Sequence, residues 1–194
     1  MVITERIAPF FIRFLKDRRQ NRNGQFILGR SWRYEQGKQV LKEVFGLEVI
    51  EMAHTLSGSE YVDRQPKERA DDLMEAFKDN SIKAIFNCMG DDNRIRLLPC
   101  VGLGIIEKNP KILIGHSDTT IGHLMCFKAG LSSFYGPSLL AEFAKNGGMF
   151  EYAKNCVQKM LFETDVGGEI KMSWNLSSEY LHCDYGYIIN DAKL

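Results

Sequence analysis

The sequence has no excess of charge: 25 Lys and Arg against 25 Asp and Glu leave a formal net charge of zero over 194 residues. No basic run stands out either, which argues against an electrostatic grip on nucleic acid or an anionic membrane and favours a small or neutral partner. Paired cysteines are lacking too. Cys88, Cys100, Cys126, Cys156 and Cys183 are scattered, odd in number and without a Cys-x-x-Cys spacing. Neither a disulfide framework nor a zinc knuckle is indicated, and a reducing cytoplasm is the expected setting. Four of the five lie in apolar surroundings, where cysteine acts as a small core residue. No apolar run approaches the roughly 18 residues that span a bilayer. The apolar patch Ile7 to Leu15 is followed by Lys16-Asp17-Arg18-Arg19 instead of a small-residue cleavage site, so no secretory signal is expected. Neither His-Glu-x-x-His nor Gly-x-x-x-x-Gly-Lys-Ser occurs, and neither a metal nor another cofactor is expected.

What is present is a regular alternation. Tyr34, Val40, Leu41, Val44 and Phe45 suggest a helix that Gly46 stops, and Leu47 to Ile50 reads as a strand. A polar loop with Ser57-Gly58-Ser59 follows. Pro66 then opens a helix that places Ala70, Leu73, Met74 and Phe77 on one face, and Ile82 to Phe86 is the next strand. A helix around Ile95 to Ile106, a strand over Lys111 to Ile114, a helix from Thr119 to Ala129 and a short strand over Ser132 to Tyr135 continue the pattern. Helices from Pro137 to Asn146 and from Phe150 to Phe162 follow. Such alternation implies an α/β fold with a doubly wound, mostly parallel sheet and flanking helices, since parallel neighbours need crossover connections. Ligands of such sheets bind beyond the carboxyl ends of the strands. Met1 to Asn23 does not fit: Ile7, Phe10, Phe11, Phe14 and Leu15 recur at helical spacing, which suggests an amphipathic helix.

The pattern centres on Lys111 to Gly130. A short apolar run enters the sharp break Gly115-His116-Ser117-Asp118, and a helix closed by Gly130 leaves it. A strand that turns tightly into a helix pushes the turn side chain out at the carboxyl edge of the sheet, where backbone N–H groups can hold an anion. Ser117 sits at that point. The alternative is that Ser117 or Asp118 caps the helix that follows.

Met89-Gly90-Asp91-Asp92, Arg96-Leu97-Leu98-Pro99, Asn109-Pro110-Lys111, Gly115-His116-Ser117-Asp118-Thr119-Thr120 and Gly130-Leu131-Ser132-Ser133-Phe134-Tyr135-Gly136-Pro137 together resemble the LD-carboxypeptidase family, which also contains the microcin C self-immunity proteins. The resemblance runs from Gly29 to Tyr180 in the family's order. It implies a serine peptidase with Ser117 as nucleophile, and oxyanion donors at the backbone N–H groups of Asp118 and Gly90. It also implies a Ser-Glu-His triad whose Glu and His come from a carboxyl-terminal domain. The family opens with a β-strand and a serine-rich turn, and that first strand is apparently missing here. Three domains follow from this reading: an atypical amino-terminal segment over 1–29, the nucleophile-bearing α/β domain over 30–164, and a linker with the start of a truncated second domain over 165–194.

A serine hydroxyl needs a base, usually histidine, to take its proton. His116 adjoins Ser117, but adjacent side chains in a tight turn point apart. His123 lies within a helix beside Leu124 and Met125, where a hydrogen-bonded histidine is the alternative to a base. His54 precedes a flexible loop and has no marked partner, whereas His182 has Glu179 and Asp184 nearby and is the best internal candidate. Asp91 and Arg94 are candidate substrate-binding residues: Arg94 and Arg96 could receive a substrate carboxylate, or instead form an ion pair with Asp91, Asp92 or a nearby Glu. The family has Gly-Gly where this chain has Met89-Gly90. If the first glycine serves a positive φ, Met89 costs about 1 kcal/mol or more there.

Two functions follow. One is a hydrolase that cleaves the L,D bond of murein peptides bearing a terminal D-residue, or a peptide-nucleotide antibiotic in the manner of the microcin-immunity members. The other is a catalytically incomplete domain that binds a peptide or a partner chain. A homodimer or a separately encoded carboxyl-terminal domain would supply the missing base.

Overall fold

The computed structural model describes residues 6–10, 31–90 and 93–163 of the chain. The segment expected to be a linker and second-domain start, 165–194, lies outside the described residues, as does most of 1–29. At the centre is a parallel sheet. β1 (Arg6–Phe10) lies between β2 (Glu48–Val49) and β3 (Ile82–Asn87), with β4 (Ile112–Gly115) and β5 (Phe134–Tyr135) beyond β3. Each neighbouring pair runs parallel, in registers such as Ile85 opposite Leu113 and Ile114 opposite Phe134.

The first strand is therefore present, which corrects the expectation that it was missing; Arg6–Phe10 is strand where helical spacing was read, and Phe11 to Leu15 lie outside the described residues. Five residues of strand carry too few side chains to display a period of two, and Pro9 argues against an interior strand because it offers no ladder donor. The helical spacing of Ile7 and Phe10 is a coincidence of an apolar stretch. The register of β1 on β3 slips between Arg6 and Ile7, so that Arg6 faces Ile82 and Ile7 faces Ala84.

Among the described residues six helices flank the sheet: α1 (Ser31–Phe45), α2 (Ser59–Arg64), α3 (Pro66–Lys78), α4 (Leu103–Lys108), α5 (Thr120–Lys128) and α6 (Glu151–Phe162). Successive strand residues point to opposite faces, so each face needs its own core. On one face Ile85 and Leu113 pack with Leu73, Met74 and Phe77 of α3, Ile106 of α4 and Met125 of α5. On the other, Ala84, Phe86 and Ile114 pack with Tyr34 and Leu41 of α1, with Val157 of α6 and with Phe143. Phe143 stands edge-on to both Phe45 and Phe86. At roughly 1.5–3 kcal/mol for each large side chain fully buried, these two layers hold the strands in place.

Three elements differ from expectation in detail. The helix expected around Ile95 to Ile106 is two pieces, a 3₁₀ turn over Arg94–Cys100 and α4, because Pro99 and Gly102 interrupt the ladder between them. The polar loop around Ser57 runs directly into α2. Only Leu139–Phe143 of the expected helix from Pro137 is helical, as one wide π-type turn in which Phe143 N–H donates to Ser138 O.

The strand order 2-1-3-4-5 reverses its winding between β1 and β3. That reversal opens a crevice at the carboxyl ends of the central strands. The loop holding Gly90 leaves β3 there, and Ser117 leaves β4.

Candidate active site

Ser117 has a φ of 60° and is the one non-glycine residue among the described residues with positive φ. A left-handed conformation costs an L-residue about 1–2 kcal/mol, so surrounding contacts must hold it. It begins a 3₁₀ turn, Ser117–Thr119, that feeds α5, and no side chain caps that turn. Among the described residues Ser117 Oγ has no hydrogen-bond partner, and the residue is exposed. The capping alternative for Ser117 is not what the fold uses.

Gly90 explains the tightness of the site. A Cβ placed there would fall 2.4 Å from Ser117 Cβ, 2.7 Å from Ser117 Oγ and 3.2 Å from Asp118 N. The β3 loop thus passes against Ser117 and the N–H that follows it, and only a residue without a side chain lets it do so. Gly90 has no positive φ, and neither has Met89. The strain considered for Met89 is absent, and its side chain packs against the core face that contains Phe86 and Ile114.

Beneath the crevice lies a buried polar network. Asn87, at the end of β3, donates through Nδ2 to Ile114 O at 2.7 Å, and its Oδ1 accepts from the Arg94 guanidinium. Arg94 is 3% exposed, and a Cβ on Gly122 would lie 2.9 Å from its Nη1. Its guanidinium thus lies under α5, bonded to an amide, and does not line the open crevice. Asp118 accepts the Arg94 backbone N–H at Oδ2, 2.8 Å away. This ties the start of the Arg94–Cys100 turn to the residue whose own N–H follows Ser117. Arg96 reaches Asp63 O at 2.6 Å. Asp91 and Asp92 lie outside the described residues.

The histidines divide clearly. His116 Nε2 sits 3.2 Å from Ser138 Oγ and 3.4 Å from Glu142 Oε1. Both partners converge on one ring nitrogen, whereas a triad needs acid and nucleophile on opposite nitrogens, so this trio is not a relay for Ser138. The hydrogen bond to Glu142 raises the His116 pKa above its ordinary value, against the opposing effect of burial. Burial alone would raise Glu142, but its bonds to His116 and to the Ser138 N–H hold it below the usual carboxylate value.

His123 is hydrogen-bonded at both nitrogens, to Gly115 O at 3.0 Å through Nε2 and to Ser133 Oγ at 2.9 Å through Nδ1. A carbonyl only accepts, so Nε2 carries the proton and Nδ1 accepts from the serine. Burial lowers its pKa below the ordinary value. His54 has partners that the sequence concealed: Asp72 accepts its backbone N–H and meets Nδ1, both at 2.9 Å, and Tyr61 stacks on the ring. His182 lies outside the described residues.

Cys88, just before Met89, is fully buried, and burial pushes its thiol well above the ordinary range. Cys126 is buried as expected for a core residue, while Cys100 is exposed. No helix among the described residues is long and apolar enough to cross a membrane. Sequence reasoning overlooked Asn87, Ser138, Glu142 and Tyr135, whose hydroxyl accepts the Ser117 N–H at 3.0 Å. Tyr135 lies within a motif shared with the family, which was the one available signal.

A family model described as "LD-carboxypeptidase N-terminal domain" matches residues 25–136. The Microcin C7 self-immunity protein MccF of Escherichia coli is 35% identical over 102 residues, 52% of this chain and 30% of its own. A solved structure of MccF in the wild-type apo state superposes with a TM-score of 0.68 at 26% identity, covering 85% of this chain and 46% of that one. A Bacillus subtilis protein named "Probable murein peptide carboxypeptidase" is 35% identical over 83 residues, 42% of this chain and 26% of its own. The crystal structure of an MccF-like protein from Streptococcus pneumoniae, in complex with AMP, has a TM-score of 0.60 at 31% identity, covering 74% of this chain and 40% of that chain. The chain spans about a third of the length of the curated relatives it matches.

Proposed function

The chain belongs to the LD-carboxypeptidase N-terminal domain family, and from that premise we propose that it is the nucleophile-bearing part of a serine-type carboxypeptidase acting on the L,D bond of murein peptides. The observation that carries the reading is Ser117 itself: an exposed hydroxyl at φ 60°, at the carboxyl end of β4, with the Gly90 backbone pressed against it. Its relatives include a protein named for murein peptide carboxypeptidase activity, and one solved MccF variant is an active-site mutant in which a serine is among the residues replaced by alanine.

Ser117 Oγ adds to the scissile carbonyl carbon as its proton passes to a base. The resulting oxyanion is received by the N–H groups of Asp118 and Gly90, each worth about 3 kcal/mol of barrier. Collapse expels the amine of the terminal D-residue, which takes up the proton, and water then releases the acyl group as a carboxylate. Asp118 holds its own N–H in place through its carboxylate bond to the Arg94 N–H. The base comes from outside the described residues: His182, a second copy, or a carboxyl-terminal domain of the kind the family implies.

A second reading has its own observation. His116, His123 and His54 all spend ring nitrogens on partners other than Ser117, which favours an incomplete domain that binds without turnover. MccF has been solved with aspartyl sulfamoyl adenosine, so an aminoacyl sulfamoyl nucleoside is the other substrate class to test. The experiment is release of terminal D-alanine from a murein tetrapeptide by the purified chain and by Ser117→Ala, with the sulfamoyl nucleoside in parallel. Turnover abolished by the substitution supports the hydrolase. No turnover of either compound by a cooperatively folded chain overturns autonomous hydrolysis and favours the binding domain.

A further inference from the structure

Tyr135 is 66% exposed, so burial of its ring accounts for little of its placement. Its hydroxyl nonetheless reaches the elbow and accepts the Ser117 N–H at 3.0 Å. The ring also meets His123, tilted against it with centroids 5.6 Å apart. His123 is in turn fixed by Gly115 O and Ser133 Oγ. β5 also pairs Gly115 with Tyr135, and Gly136 N–H donates to Gly115 O at 3.1 Å. The elbow and Tyr135 therefore share one rigid frame.

We infer that Tyr135 is a positioning residue that locks Ser117 in its left-handed conformation by accepting its backbone N–H. φ and ψ are set by the orientations of the two peptide planes that flank a Cα atom. At Ser117 the preceding plane is held by Tyr135 Oη, and the following plane by Thr120 Oγ1, which donates to Ser117 O at 2.6 Å. Without the first bond the preceding plane can rotate and φ can return to the negative range that L-residues favour. Ser117 Oγ and the Asp118 N–H then no longer aim at one point. The kinetic consequence rests on Ser117 being the nucleophile; the conformational claim does not.

The test is amide hydrogen exchange and amide resonances of the full isotope-labelled chain, compared with Tyr135→Phe, which keeps the ring and removes only the hydroxyl. Loss of one hydrogen bond is expected to speed Ser117 exchange at least about fivefold and to move its resonance, while Ile85 and Leu113 in the sheet keep their protection. Thr120→Val should move the same resonance with the N–H protection retained. Unchanged exchange and resonance at Ser117 in Tyr135→Phe would overturn the inference, as would a uniform loss of protection, which marks a general support of the fold. Where the chain hydrolyses substrate, Tyr135→Phe should lower kcat with KM unchanged. If Ser117→Ala still hydrolyses, the nucleophile reading fails while the amide result stands by itself.

Discussion

At the scale of single residues the site depends on one close approach. Gly90 carries no positive φ, so its requirement is space: a Cβ would overlap Ser117 Cβ and Oγ. Gly90→Ala is expected to push the two loops apart, costing about 1–3 kcal/mol in stability and separating the backbone N–H groups of Gly90 and Asp118. Thermal unfolding checks the first effect. A drop of about 100-fold or more in any hydrolysis that depends on Ser117 checks the second. Gly90 and Ser117 were both legible in the sequence as turn residues that follow strands. Their contact was not, because 27 positions separate them and only the parallel pairing of β3 with β4 brings them together. The same holds for His54, whose partner Asp72 lies a helix away.

At the scale of elements the elbow is fastened to the wide turn Leu139–Phe143 through His116 and Glu142. Raising the His116 pKa above its ordinary 6.5 means that its contribution to stability is present below that value and is lost as pH climbs through the raised folded value. Lowering the Glu142 pKa below its ordinary 4.5 means that its contribution is present above that value and is lost as pH falls through the depressed one. The pair therefore stabilises most between these ordinary values. The difference in melting temperature between the chain and Glu142→Gln should be largest in that window and shrink in alkali. A difference independent of pH would mean that Glu142 acts only through its bond to the Ser138 N–H. Sequence periodicity could not reveal this turn, because a single wide turn carries no repeat, and Ser138 and Glu142 look like ordinary polar positions.

At the scale of the whole molecule, the sheet is organised around a strand that the sequence conceals. β1 separates β2 from β3, so deleting residues 1–10 removes the interior ladder that joins β2 to the rest of the sheet. Such a deletion is expected to abolish cooperative unfolding and to give insoluble chains, whereas a soluble and cooperatively folded product would show that β3, β4 and β5 suffice. The alternation of α1, β2, α3, β3, β4 and α5 was legible because each helix shows one apolar face and each strand an apolar run, and both are local properties of the chain. From that alternation parallel pairing follows, and from parallel pairing a crevice at the carboxyl ends. Amino-acid sequence by itself thus determined the fold class, the family and the elbow serine, since all three are written in short contiguous stretches. Only the tertiary structure decided that Arg94 is buried beneath the site, that three histidines are already engaged, and that Tyr135 holds the Ser117 peptide. Each of these is a meeting of side chains distant along the chain, and such meetings are fixed by how the layers pack.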